Sequence, residues 1–348
     1  MNATVHTPPV ARTPAHRTHR FALLLSREFW EHRGGFLWAP VIAGAISLLL
    51  TAVFFVIGMV AMRRADSDAG IFLDDGTRMS INGLDLGVLA AQMSAEDKAQ
   101  LAAGIDVAMM MSSSWPYIVM VFVMFFYCLG ALYDERKDRS VLFWKSLPLS
   151  DGETVLSKVV SAVVTIPVMA TLAAVATMLL FLVMLSVLVM IHGGSPWELI
   201  WGPGHPLAIS LSVLAAIPVY AIWALPTVGW LMLCSAWARS VPFLWAVLVP
   251  VLSGVFVAMF SVMRIFGLDA QWFWSNIVAR MLLGVVPMTG HDLTRLDGAD
   301  FGGSGLLHLI QPAAVYSNLL QPATWIGAAA GVAMLLLATR LRRWRDEG

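Results

Sequence analysis

Charge is what this sequence has least of. Only 13% of its residues are Asp, Glu, Lys or Arg, against about 25% in an ordinary soluble domain, while 59% are hydrophobic and mean hydropathy is +0.77. A soluble fold of this length has no means of burying so much apolar surface. The 22 basic and 22 acidic residues cancel, so bulk attraction to nucleic acid is excluded as well. Cysteine is nearly absent. Cys128 and Cys234 both lie in apolar runs, which leaves a disulfide framework, a CxxC redox pair and a cysteine zinc site without support. The four lysines, Lys98, Lys137, Lys145 and Lys158, all lack a preceding glycine, so no P-loop is encoded and any ATP must be handled by another polypeptide. No HExxH or comparable histidine spacing occurs, and His192, His205 and His291 read as loop residues.

Long uncharged runs are abundant instead. Six of them, Phe36 to Met62, Trp115 to Tyr133, Val159 to Ile191, Pro206 to Trp237, Val241 to Met263 and Ala323 to Thr339, approach or exceed the ~20 residues a helix needs to cross a ~30 Å hydrocarbon core. The first is too long, and begins too late, for a cleaved secretory signal. The third is longer than one crossing requires and implies tilt or extension beyond the bilayer. Trp272 to Pro287 is apolar but contains Arg280, and reads as a re-entrant or interfacial helix rather than a seventh span. The expected fold is therefore an all-α integral membrane protein of six transmembrane helices, with an N-terminal interfacial helix. Residues 1–19, rich in Thr, Pro and His at the start, read as a disordered tail, and 20–348 as one transmembrane domain.

Orientation follows from the basic residues. Of the 22 Lys and Arg, fifteen fall on the side of the termini and seven on the other, which favours an orientation with both ends in the cytoplasm; the expected location is a plasma membrane such as the bacterial inner membrane. The outer segments then run from Arg63 to Ser114 and from Arg264 to Pro322. In the first, Ser94 and Asp97 signal a helix start, and Ser114 before Trp115 and Pro116 reads as the cap of span 2.

Two inner elements stand out. The loop from Asp134 to Lys158 opens with Asp134, Glu135, Arg136, Lys137, Asp138 and Arg139, a charge cluster expected in water just beyond span 2. It turns apolar and aromatic at Phe143 and Trp144, reaches Lys145 and the break at Pro148, and then offers Ser150 and Glu153 at capping-box spacing for a helix starting at Asp151. The preceding arm, Arg20 to Arg33, places Phe21, Leu24, Leu25 and Phe29 on one helical face, as in a helix lying in the membrane interface. Arg27 with Glu31, and Glu28 with His32, stand at pairing distance along it.

The strings Arg27-Glu28-Phe29-Trp30-Glu31 and, more distinctively, Leu132-Tyr133-Asp134-Glu135-Arg136-Lys137-Asp138-Arg139-Ser140 with Phe143-Trp144-Lys145-Ser146-Leu147-Pro148-Leu149-Ser150 resemble the ABC-2 type transporter permease family. The resemblance implies a permease subunit that pairs with a second copy of itself or a related chain, and with a cytoplasmic ABC ATPase that carries ATP and Mg, usually for export. It further implies that the arm (Arg27, Glu28, Phe29, Trp30) resembles the connecting helix. The inner loop, with Pro148, Ser150 and Glu153, resembles the element that touches the ATPase. No catalytic residue, cofactor or metal is expected in this chain.

Within the membrane the six runs contain no Asp, Glu, Lys or Arg, which disfavours ion-coupled transport, since that normally needs ionisable groups in the bilayer. Pro167, Pro218, Pro226 and Pro250 invite kinks, read as packing bends before hinges. Gly327 and Gly331 form a GxxxG pair suited to close packing inside one subunit. Uncharged, Met-rich and aromatic spans suit an apolar or amphipathic cargo. One enzymatic alternative exists: Gly302-Gly303-Ser304-Gly305 resembles the GxSG string of rhomboid intramembrane proteases, which need a histidine base on a later span, whereas here only His308 follows.

Overall fold

A computed structural model of the chain describes residues 17–68, 71–72, 78–79, 92–139, 150–263, 267, 269–287 and 311–344. The first sixteen residues, the segment carrying Phe143, Trp144, Lys145 and Pro148, and the Gly302–Gly305 string with His308 lie outside them. The described chain is helical apart from an antiparallel pair of two-residue strands, Ile71–Phe72 with Arg78–Met79. Six helices are long and apolar enough to cross a bilayer, the architecture of a multi-pass membrane protein. They are span 1, Gly34–Ala61; span 2, Ala95–Lys137; span 3, Asp151–Ile191; span 4, Ile217–Trp237; span 5, Pro242–Val262; and span 6, Pro322–Trp344.

Two boundaries differ from the sequence expectation. Span 2 does not begin at a Ser114 cap but continues a helix that starts at Ala95, so 43 residues follow one another with breaks at Ser113 and at Ala131–Leu132. At 1.5 Å per residue that is roughly 65 Å, about twice a hydrocarbon core. The true start is the Ser94/Asp97 capping box: Asp97 N–H donates to Ser94 Oγ at 3.1 Å and Ser94 N–H to Asp97 Oδ2 at 3.0 Å. Ser114 sits inside the helix, its hydroxyl donating to Met111 O. Span 4 is shorter than expected. The helix Pro206–Ala215 ends at Ala216, and a new one starts with Pro218 near its N-terminus, where the missing N–H costs nothing.

At two of the prolines, Pro116 and Pro250, the released carbonyl has a new partner. Pro116 cannot donate to Ser112 O, which instead accepts from Ser47 Oγ of span 1 at 2.7 Å. Pro250 likewise frees Ala246 O, which accepts from Trp230 Nε1 of span 4 at 2.9 Å. At the break before span 4, Tyr316 Oη donates to Ala215 O at 3.0 Å. Donors from neighbouring helices thus hold these bends in place.

Two apolar cores stack along the bundle. One surrounds Phe36, Met120, Met124, Ile166 and Leu231. The other, towards the loop side, gathers Ile105, Met109, Met178, Phe181 and Ile209. There Asp106, buried in the extension of span 2, accepts from His205 N–H at 3.2 Å and meets His205 Nδ1 at 3.3 Å. By helix rise Asp106 lies about 13 Å beyond Trp115.

Spans 4 and 6 make the closest crossing. A Cβ on Gly331 would stand 2.5 Å from Leu225 O, and one on Gly229 2.5 Å from Gly331 O, so neither position has room for a side chain. Gly331 therefore serves the intrasubunit packing expected of it. Gly327 does something else: its missing side chain leaves room for the Arg280 guanidinium. Arg280 belongs to the helical stretch Ala270–Leu283, too short at ~1.5 Å per residue to cross a core. Its Nη1 donates to Ala323 O at 2.6 Å, its guanidinium lies 4.3 Å from the Trp223 ring centroid, and its carbonyl accepts from Thr227 Oγ1 at 2.6 Å. These contacts seat that stretch against spans 4 and 6.

Candidate functional site

The charged residues of the loop and arm gather at the bundle face that holds the start of span 1, the end of span 2, the start of span 3 and the ends of spans 4 and 6. This is called the terminal face below. The arm helix, Arg17–Glu31, turns Leu24 and Glu28 towards the bundle at i,i+4 spacing and leaves Leu23 and Trp30 outward. Glu28 is 2% exposed. Its Oε1 accepts from Lys158 Nζ at 3.0 Å and its Oε2 from Tyr127 Oη at 2.9 Å. Lys158 also meets Glu135 Oε1 at 3.1 Å. Glu135 Oε2 in turn faces Arg342 Nη2 at 3.0 Å, and Arg342 Nε lies 3.5 Å from Asp151 Oδ1. Three carboxylates and two cations thus form one chain of contacts from the arm through spans 2 and 3 to the end of span 6.

Burial makes this chain consequential. Lys158 and Arg342 are each 4% exposed, so neither is a solvated surface ion. A charge so placed is tolerable only while its partners stay in position. Burial pushes the Glu28 carboxyl upward, yet the Lys158 ammonium, the hydrogen bonds from Lys158 and Tyr127, and His32 together hold it below its ordinary range. It is therefore a carboxylate at neutral pH. His32 contributes further: its Nδ1 lies 3.3 Å from Glu28 O, and its ring stacks on Phe36 with centroids 5.5 Å apart. The side-chain pair expected between Glu28 and His32 does not form, because the carboxylate is taken by Lys158. Arg27 and Glu31 do pair, at 3.1 Å on the exposed side.

Arg136 extends the network to span 4. Its Nη2 donates to Ser235 O at 2.7 Å and Ala238 O at 2.8 Å, placing a cation on the carbonyl end of that helix, where the macrodipole favours it. Ser235 completes the joint: its hydroxyl donates to Leu129 O at 2.6 Å and accepts from Leu132 N–H and Tyr133 N–H at 3.0 and 2.9 Å. The turn that ends span 2 is in this way pinned to the end of span 4.

The loop cluster is consequently divided. Asp134, Lys137, Asp138 and Arg139 are exposed, whereas Glu135 and Arg136 face inward and belong to the bundle. The expectation that all six sit in water is corrected for these two, whose partners Lys158, Arg342 and the span 4 carbonyls draw them in. Ser150 and Glu153 form the reciprocal box expected of them, with Glu153 N–H donating to Ser150 Oγ at 3.2 Å and Ser150 N–H to Glu153 Oε2 at 3.1 Å. Span 3 thereby starts at Asp151, which sets Lys158 two turns into the helix. Phe29 packs partly buried on the core, edge to face with the exposed Trp30 at 5.7 Å. Between arm and span 2 lies a cavity of about 760 Å³ lined by Arg27, Glu31, His32, Asp134, Asp138 and Lys158 among others.

Sequence reasoning missed Lys158, Arg342, Asp151, Tyr127 and Ser235 as parts of this site. The available signal was Glu28 itself, a carboxylate four residues after Leu24 on the apolar face of the arm, which demands a buried cation. Among the described residues no group of three or more His, Cys, Asp or Glu is placed to hold a metal, and both cysteines are free and buried. The contacts form a polar layer that joins the arm to spans 2, 3, 4 and 6. In comparisons with known proteins, the chain matches no family model, no curated protein and no solved structure.

Proposed function

We propose that this chain is the membrane subunit of an ATP-driven exporter of the ABC-2 type, moved by a separate cytoplasmic ATPase that docks on the terminal face. In this reading two copies, or two related chains, enclose the route for cargo. The observation that carries it is the buried ion network. A push on the segment between Asp134 and Asp151 cannot stay local, because Glu135 and Arg136 at its start, and Asp151 and Lys158 at its end, are tied to the arm and to spans 4 and 6. Exposed Asp134, Lys137, Asp138 and Arg139 offer the contacting surface beside these ties. The sequence likeness of the arm and loop supplies the family, and the absence of a P-loop in the sequence supplies the need for a partner.

The test uses Asp138→Cys in the full chain, since Cys128 and Cys234 are buried and give little background labelling. A thiol-to-amine cross-linker applied to native membranes, followed by purification through the tagged chain, is expected to capture a nucleotide-binding ATPase. Its hydrolysis should then depend on the complex. Recovery of the chain with no nucleotide-binding partner, under conditions where the introduced thiol reacts fully, contradicts the proposal.

A further inference from the structure

A second cavity, of about 370 Å³, lies within one copy of the chain between spans 2, 3 and 4, and is closed in part by Val286, Val315 and Asn318. It forms where helices break. Ser113 at the break in span 2, Pro167 in span 3 and Ala216 before span 4 all line it. Its volume lies within the ~300–1,000 Å³ of small-molecule sites.

The chemistry of the lining is specific. No Asp, Glu, Lys or Arg contributes to it among the described residues; Met120, Val121, Met178, Val219 and Trp223 supply apolar wall. The polar residues are Ser113, Ser114, Tyr117, Thr171, Ser212, Tyr220 and Asn318; Ser113, Ser114 and Tyr220 spend their hydroxyls on the carbonyls of Met110, Met111 and Val285, and Tyr117 bonds Thr171. Asn318 differs. It is 6% exposed, its backbone carbonyl accepts from Thr324 Oγ1 at 2.7 Å, and its side-chain amide makes no hydrogen bond among the described residues. The amide is therefore free to pair with a group bound in the cavity that Asn318 lines. At the other side Ile118 lines the cavity and is also exposed on the apolar surface of span 2, so the chamber has an edge on the bilayer.

We propose that this cavity binds a single-chain amphiphile with an uncharged hydrogen-bonding head, drawn from the surrounding membrane. The hydroxyl or carbonyl head pairs with the Asn318 amide, and the alkyl chain lies against Met120, Val121 and Val219. A charged head is disfavoured because the lining holds no countercharge among the described residues. This goes beyond the exporter reading, since the site is complete within one copy and needs no ATPase.

The probe is hexadecanol carrying a diazirine near its methyl end, photolysed with the full-length protein in lipid nanodiscs, with adducts mapped by mass spectrometry. Adducts are expected to concentrate on Met120, Val219 and Trp223 and to be displaced by unlabelled hexadecanol. Asn318→Leu should weaken binding roughly tenfold, the loss of one buried hydrogen bond. Val213→Phe, which fills the cavity away from Asn318, should lower labelling as well and keeps the test open if Asn318→Leu does not fold. A hexadecanoate probe ionised at its carboxyl should label the cavity less. Adducts spread over lipid-facing residues such as Phe54 and Phe256, not displaced by competitor and equal in the folded variants, overturn the proposal.

Discussion

Replacing Lys158 by Met removes the cation at the centre of the terminal-face network. At contacts of 3.0 and 3.1 Å, with an effective dielectric constant of about 20, each of its two ion pairs carries on the order of 5 kcal/mol of gross attraction. Much of that only offsets the cost of taking three ions out of water. The net penalty of deletion arises because Glu28, 2% exposed, and Glu135 are left facing each other without their shared partner; breaking a buried pair in this way costs about 3–5 kcal/mol. The variant should therefore show an apparent Tm lower by roughly 5–15 °C in thermal unfolding of the protein in mild detergent. Neutralising the whole triad, with Glu28→Gln and Glu135→Gln added, should recover part of the loss, since no carboxylate is then left facing its like and Arg342, which Glu135 also holds, keeps Asp151 at 3.5 Å. A Lys158→Met variant as stable as the parent, or a triple variant weaker than the single one, refutes the reasoning.

Three further outcomes follow from the same geometry. Glu28 has a folded pKa below its ordinary value of 4.5, so its ionised form contributes stability that is fully present above that value and is lost as pH falls through the lower folded value; the Tm gap between the parent and Glu28→Gln should accordingly hold from neutral pH to about pH 5 and narrow below it. Gly331→Ala drives a methyl into the backbone of Leu225 and Pro226 and should cost about 1–3 kcal/mol, more than Gly327→Ala, which meets only the movable end of Arg280, while Gly58→Ala, with open space around it, should be neutral or slightly stabilising. Trp230→Phe leaves Ala246 O without the indole donor and should cost about 1–3 kcal/mol, with partial rescue by Pro250→Ala, whose restored N–H can donate to the same carbonyl; a double-variant cycle in Tm reads the coupling.

The elements that could be read from the sequence are those governed by local or one-dimensional rules. Uncharged length gives the six crossings, and two capping boxes give the starts at Ala95 and Asp151 to the residue. The Ser114 boundary failed because a serine before Trp-Pro looks the same whether the chain turns there or a helix simply bends, and the choice is made by Ser47 on span 1, which accepts the task of satisfying Ser112 O. The site was half legible for a similar reason. A dense run of charge marks Asp134 to Arg139 as important, but which of its members face inward depends on Lys158 and Arg342, residues remote along the chain. Arg342 sits in a basic tail whose sequence gives no reason to separate it from Arg340 or Arg343. Gly327 and Gly331 show the same limit: one spacing serves two tasks, a backbone crossing at Gly331 and a berth for Arg280 at Gly327.

Sidedness tests the central claim most directly, because an ATPase in the cytoplasm can act only on a terminal face that opens there. Asp138→Cys, exposed beside the ion network, is to be labelled with a membrane-impermeant maleimide in right-side-out and in inverted vesicles. Labelling confined to inverted vesicles is the result the account predicts. Labelling of the introduced thiol from outside intact cells contradicts it.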